Sequence, residues 1–203
     1  AVTAAGGLVG EVVQVWRPRE LNTHETEWGF SCMSYEISGA LGIKMANPNK
    51  EVISFVGDGS YLLNNTDIYS SVITKNKLII IVCDNGGFAV INRLQLFKGG
   101  NEYNNLLKSS NTPGLVDVDF AKHAESMGAK SEHVNSISDL EEAFKRAKKS
   151  DVTYVISIKT HAYQWLEGSA FWDSPTLEIP TTDENKEALK LYKEGKSKQR
   201  QGV

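Results

Sequence analysis

Val52-Ile53-Ser54-Phe55-Val56 runs into Gly57-Asp58-Gly59-Ser60, and Leu78-Ile79-Ile80-Ile81-Val82-Cys83 runs into Asp84-Asn85-Gly86-Gly87. Each is a short β-branched apolar run that stops at a polar, glycine-bearing turn. Continuous runs of this length, without polar alternation, suit strands buried on both faces of a parallel sheet. A third run, Tyr154-Val155-Ile156-Ser157-Ile158, reads as a later strand of the same sheet.

Helical spacing fills the intervals. Tyr35 to Ala46 places Ile37, Ala40, Leu41 and Met45 on one face, and Asn47-Pro48-Asn49 stops it. Thr66 to Lys75 carries Ile68, Val72 and Ile73, and Asp119 to Met127 carries Phe120, Ala121 and Ala124 with Gly128 as its stop. Ser138, with Glu141 three positions on, reads as a capping box for a helix that turns Leu140, Ala143, Phe144 and Ala147 inward. This alternation predicts an α/β fold: a doubly wound, mostly parallel sheet with helices on both faces. In such sheets a ligand lies beyond the carboxyl ends of the strands, the edge on which both turns would sit. Residues 1–180 are expected to form this domain. Residues 181–203 turn polar and charged, and read as a short helix around Glu184 to Tyr192 followed by a frayed tail.

The 203 residues carry 22 basic and 25 acidic side chains, so there is no overall electrostatic footprint for nucleic acid. The uninterrupted apolar run from Leu78 to Cys83 is far too short to span a membrane. Cys32 and Cys83 form neither a CxxC pair nor a disulfide framework, which points to a reducing cytoplasm. The opening Ala1-Val2-Thr3-Ala4-Ala5 has no Met, no basic region and no long apolar stretch. It is not a signal peptide, and it reads as a cut made inside a longer protein.

The two turns offer a specific chemistry. Asp58 alone would read as a turn or capping residue. Its flanking glycines, the buried strand before it and the matching Asn85 turn favour a site instead. Asp58 supplies a carboxylate, Asn85 an amide oxygen, and Gly86-Gly87 a backbone carbonyl free to turn inward. Such a hard oxygen set suits Mg²⁺ or Ca²⁺ rather than zinc. One carboxylate holds Mg²⁺ poorly by itself, so the set predicts a phosphorylated cofactor bridged to the protein by the metal. Backbone amides of Gly57, Gly59 and Ser60 would add anion binding. Gly6-Gly7-Leu8 follows the end of a strand, so Gly7 and Leu8 are candidate diphosphate contacts, with a plain tight turn as the alternative.

Gly57-Asp58-Gly59-Ser60 followed by Asp84-Asn85 resembles the GDG…NN motif of thiamine-diphosphate-dependent enzymes, whose fold is of the class expected above. The resemblance implies thiamine diphosphate and Mg²⁺ as cofactors, with Asp58, the Asn85 side chain and the Gly87 carbonyl as metal ligands. Asp84 stands where that motif has its first Asn. The segment Cys32-Met33-Ser34-Tyr35-Glu36-Ile37-Ser38-Gly39 is similar to the one that precedes the motif, and puts Met33 at the apolar prop beneath the bent cofactor. Ser34 and Ser38 depart from the Gly and Pro common there.

Val15 to Leu21, Glu27 to Met33 and Glu167 to Asp173 are similar to the branch of the family that hydrolyses a cyclic 1,2-diketone in inositol breakdown. That resemblance implies C–C cleavage of a small polyhydroxylated cyclic diketone to a deoxyglucuronic acid. It also implies a homo-oligomer, in which the glutamate that activates the cofactor lies in a separate pyrimidine-binding domain, usually a neighbouring subunit's. No catalytic residue is then expected in this chain, and the isolated piece would be inactive. An acetolactate-synthase-like carboligase and a non-catalytic Mg²⁺- or nucleotide-binding module are the alternatives.

The remaining features have plain readings. Asn64-Asn65-Thr66 precedes a helix and reads as its N-cap. His24 and His161 are expected at the surface, His123 on a helix face, and Cys32 and Cys83 as buried small hydrophobes. Trp165, Phe171 and Trp172 read as core or interface aromatics.

Overall fold

The computed structural model describes residues 1–111, 117–166 and 176–200. Six strands, β1 (Val2–Thr3), β2 (Glu25–Thr26), β3 (Ile53–Gly57), β4 (Ile79–Asp84), β5 (Lys130–Val134) and β6 (Tyr154–Lys159), form one sheet in the order β2-β1-β3-β4-β6-β5. Every pairing is parallel. The helices are α1 (Gly7–Val15), α2 (Tyr35–Ala46), α3 (Asp58–Leu63), α4 (Thr66–Ile73), α5 (Ala89–Phe97), α6 (Phe120–Ser126), α7 (Ile137–Lys149) and α8 (Asp183–Ser197).

The apolar runs are buried on both faces. Leu78, Ile80 and Val82 join Ile37, Ala40, Ile68, Phe120 and Ala124 in one core, beneath α2, α4 and α6. The alternate residues Ile79 and Cys83 pack with Ile156, Ile158, Ala143 and Ala147 in a second core under α7. The chain therefore needs apolar residues at each position of β4 from Ile79 to Cys83, and no alternation is visible there.

Several local expectations change. β5 was not legible, because its Lys130-Ser131-Glu132-His133-Val134 forms a sheet edge where charged side chains stay in water. The cap of α7 is Ser136, not Ser138: Ser136 is extended (φ −144°, ψ 164°) and its hydroxyl accepts the Asp139 amide at 3.1 Å. Ser138 lies inside the helix and has no extended backbone to offer. Asn65 occupies the cap position of α4 without capping it; its amide nitrogen donates back to the Tyr61 carbonyl at 3.0 Å. Met45, in the last turn of α2, is exposed rather than inward.

α8 is longer than expected and is tied to the domain: Asn185 Nδ2 donates to the Gly99 carbonyl at 2.7 Å. Gly99 has φ +80°, and a Cβ there would stand 2.7 Å from the Glu184 carbonyl oxygen, so glycine permits this contact.

Sheet order sets the ligand edge. From β1 the chain moves through α1 to β2 on one side, while from β3 it moves through α3 and α4 to β4 on the other. The strand order thus reverses between β1 and β3, which opens a crevice at their carboxyl ends.

Candidate metal and phosphate site

A cavity of about 210 Å³ occupies that crevice, lined by Gly7 and Leu8 after β1, Gly57 after β3, Cys83 and Asn85 at the end of β4, and Arg93 on α5. His161 and Trp165, from the segment after β6, close another side. Gly7, Leu8, Gly57 and Asn85, read separately from sequence, are therefore brought to one cleft. Gly6 has φ +96° and offers α1 no side-chain cap, so the first amides of α1 are free to meet an anion.

Asp58 lies beside the cleft, 5 % exposed, at the start of α3. Its Oδ1 and the Asn85 Oδ1 are both buried without a hydrogen-bond partner. Leaving one such acceptor unsatisfied costs about 1–3 kcal/mol, more for a charged group; two on neighbouring strand ends are what a hard cation would relieve. Burial, and secondarily the Asp84 carboxylate, push the Asp58 pKa up to about 6, while the Gly87, Asn85 and Gly59 amides pull part of that back. Of the two glycines after Asn85, the Gly86 carbonyl accepts the Leu107 amide at 2.9 Å. The Gly87 carbonyl accepts none of the turn's backbone hydrogen bonds, so it is the one left available. Among the described residues no three His, Cys, Asp or Glu side chains gather as a metal cluster. The donor set of one carboxylate, one amide oxygen and one carbonyl fits Mg²⁺ completed by ligand phosphate oxygens.

Other expected site residues are placed differently. Gly59 does not open the backbone to a ligand: a Cβ there would meet Phe88 Cε1 at 2.6 Å, so the Phe88 ring fills that space. Ser60 is buried and faces Glu36 rather than the cleft. Met33 is half-buried in the loop between β2 and α2, outside the cleft lining, next to Ser34 at φ 74°. Trp165 is not core but a half-exposed wall of the cleft; Glu167 to Asp173, with Phe171 and Trp172, lies outside the described residues. His161 is exposed at the cleft, but His24 is half-buried, with Nε2 3.1 Å from both Thr3 Oγ1 and Thr26 Oγ1. Cys32 is exposed, contrary to expectation, because it belongs to the β2–α2 loop and not to a strand. Burial and the nearby Asp58 push the Cys83 thiol up to about 12, which favours its neutral form.

Three features escaped the sequence reading. Asp84 is a buried carboxylate where the motif it resembles has an amide, and the fold supplies its counter-ion. Strand pairing sets Asp84 beside Lys159, whose Nζ lies 2.7 Å from Asp84 Oδ2 and 2.9 Å from Asp117 Oδ1. Burial works against the Lys159 ammonium, and the two carboxylates outweigh it and hold its pKa above the ordinary value. Asp84 Oδ1 accepts the Gly86 amide at 3.0 Å, which shapes the turn that carries Asn85. Arg93 is the second feature; its signal was being the one arginine between Arg19 and Arg146.

Glu36 is the third, buried on the first turn of α2 with Oε2 unpartnered. Burial raises its pKa, against smaller opposing effects of its own amide, the Ser60 hydroxyl and the Ser34 amide. Folding then takes up a proton above the ordinary value of 4.5, and stability falls as pH climbs through that window. Glu36→Gln is expected to melt several degrees above the parent near pH 8 and level with it near pH 4, read by circular dichroism; each kcal/mol recovered is about 2–4 °C. A variant that melts lower at both pH values would show that the carboxylate is stabilising.

The comparisons with known proteins agree with this geometry. Residues 4–158 match the sequence profile of the thiamine pyrophosphate enzyme C-terminal TPP binding domain. The chain is 36% identical over 189 residues to the 3D-(3,5/4)-trihydroxycyclohexane-1,2-dione hydrolase of Shouchella clausii (strain KSM-K16), covering 92% of this chain and 29% of that protein. With the protein of the same name from Bacillus subtilis (strain 168) it shares 36% over 171 residues, 84% of this chain and 27% of that protein. The chain thus spans less than a third of the length of these curated relatives. Among solved structures, the Rhodococcus jostii RHA1 thiamine diphosphate-dependent 4-hydroxybenzoylformate decarboxylase aligns with a TM-score of 0.60 at 25% identity, over 68% of this chain and 25% of that one. The parallel sheet, the cleft at its switch point and the matched profile together make this chain a member of the family of C-terminal thiamine-pyrophosphate-binding domains of thiamine pyrophosphate enzymes.

Proposed function

We propose that this chain is the diphosphate- and Mg²⁺-holding domain of a hydrolase that opens trihydroxycyclohexane-1,2-dione by C–C cleavage to 5-deoxyglucuronic acid in myo-inositol degradation. The observation that carries the binding half is the pair of buried, unpartnered oxygens, Asp58 Oδ1 and Asn85 Oδ1, at adjacent strand ends. The substrate half is supported by the identity to relatives that bear the hydrolase name.

In this reading Asp58, Asn85 and the Gly87 carbonyl hold the metal, and the metal holds the diphosphate. The uncapped first turn of α1, with Gly7 and Leu8, receives phosphate oxygens, and the Gly57 backbone in the cleft wall faces the same anion. Met33 supports the ring system from the β2–α2 loop. When bound, thiamine diphosphate supplies a carbon nucleophile and an electron sink for C–C cleavage. Lys159 keeps the Asp84 charge engaged, so that Asp58 is the carboxylate left for the cation. The glutamate that activates the cofactor belongs to a pyrimidine-binding domain, contributed by a neighbouring subunit of a homo-oligomer. Both cysteines are free thiols, which supports a cytoplasmic setting. Among the described residues no helix is long and apolar enough to cross a membrane.

The test is turnover by the full-length protein on the cyclic diketone and on pyruvate, each with and without thiamine diphosphate and Mg²⁺. Ring opening that requires both cofactors, with no product from pyruvate and none from residues 1–203 alone, is the expected result. Acetolactate formed from pyruvate would replace the reading with a carboligase. Failure to bind thiamine diphosphate at all would leave a non-catalytic binding module.

A further inference from the structure

The cleft contains one guanidinium that this reading does not use. Arg93 lies on α5, three and four residues beyond Val90 and Ala89, and helical spacing turns all three toward the cleft that they line. Its guanidinium carbon stands 4.0 Å from the centroid of the Trp165 ring. That stack restrains the plane of the fork and covers one of its faces. The side chain of Arg93 is half-buried, and among the described residues it forms no ion pair. The carboxylate in the lining, Glu11, is already engaged: its two oxygens accept the Leu166 amide at 3.0 and 3.2 Å. The same bond fastens the segment that carries Trp165 to α1.

A planar cation with five donors, partly withdrawn from water, restrained by an aromatic ring and without a carboxylate partner among the described residues, is arranged to receive two coplanar oxygens of one oxyanion. Asn85 and the uncapped start of α1 line the same cleft, so an anion there would meet donors from several elements. We propose that Arg93, held flat by Trp165, is an oxyanion-recognition residue of this cleft, binding either a phosphate of the diphosphate or the carboxylate of a sugar-acid ligand. The assignment deepens the proposed function and shares its cleft, but it does not depend on the metal.

Calorimetric titration of the full-length protein tests it with two probes, inorganic pyrophosphate with Mg²⁺ and glucuronate. Arg93→Met keeps an apolar stem over Trp165 and removes the fork; Arg93→Lys keeps the charge and removes the bidentate geometry. Arg93→Met is expected to weaken one probe by about 10- to 100-fold, with Arg93→Lys recovering only part. Loss confined to pyrophosphate identifies the cofactor's phosphates as the occupant, and loss confined to glucuronate identifies the carboxylate of the sugar-acid product. Binding of both probes within twofold of the parent in either variant overturns the proposal, as does a parent that binds neither. Arg93→Lys keeps the test decisive if Arg93→Met does not fold. Asp58→Ala separates the two readings. If it spares pyrophosphate binding while Arg93→Met abolishes it, the metal site fails and the Arg93 assignment stands; the reverse pattern leaves the metal site, and removes Arg93 when Arg93→Met also leaves glucuronate binding unchanged.

Discussion

In the full-length protein, Asp58→Ala is expected to abolish Mg²⁺-dependent retention of thiamine diphosphate, with affinity falling by more than about 100-fold. Loss of a residue that only orients a metal ligand already costs about 10–100-fold in metal affinity, and Asp58 is the carboxylate of the donor set. A 100-fold loss corresponds to about 2.7 kcal/mol. The same substitution should leave the metal-free protein as stable as the parent or more so. It removes a carboxylate that is buried, unpartnered at Oδ1 and crowded by Asp84, which together push its pKa up to about 6. Affinity should therefore fall while the metal-free melting temperature holds, a combination that general damage to the fold does not produce. Asp58→Asn should behave alike, because it keeps the shape and loses the charge. Calorimetry that returns parental affinity for either variant would remove Asp58 from the metal site.

The second large effect concerns Gly87. Its φ is +140°, and a Cβ built there would stand 2.4 Å from the Asn105 backbone oxygen and 3.1 Å from the Leu106 Cα. Backbone cannot yield as a side-chain tip can, so Gly87→Ala must shift the β4–α5 turn that presents both Asn85 and the free carbonyl. We expect a loss of about 2–4 kcal/mol of stability from strain and overpacking together, visible in chemical denaturation as a lower midpoint, together with weakened Mg²⁺ binding. Gly57→Ala is the matched control. Gly57 has φ −77°, and nothing lies within 4 Å of a Cβ there, so its effect on stability should be within about 0.5–1 kcal/mol. If Gly57→Ala proved the costlier of the two, the close approach at Gly87 would not be what holds the turn.

Much of the ligand edge was legible before the fold. The turns at Asp58 and Asn85 stand out because each ends an apolar run, and a run without alternation implies a strand covered on both faces. α2 was delimited from its apolar spacing and from the Asn47-Pro48 stop. Ser136 and Ser138 show the limit of local reading. Both begin an S-x-x-acid pattern, and only the extended backbone at Ser136 decides which one caps. β5 hid for a related reason, since an edge strand keeps polar side chains and loses the apolar signature.

The sequence by itself determined the fold class and which turn residues, Asp58 and Asn85 among them, stand at the carboxyl ends of the strands. These depend on hydrophobic runs and on turn residues adjacent to them, which are local properties. Only the tertiary structure decided how the oxygens of those turns are charged and enclosed. Strand order sets Lys159 beside Asp84, turns Phe88 into the space over Gly59, leaves the Gly87 carbonyl unspent, and brings Arg93 under Trp165. Each of these joins residues from separate elements. Their energies come from burial and from distances of a few ångströms, which the order of residues along the chain does not contain.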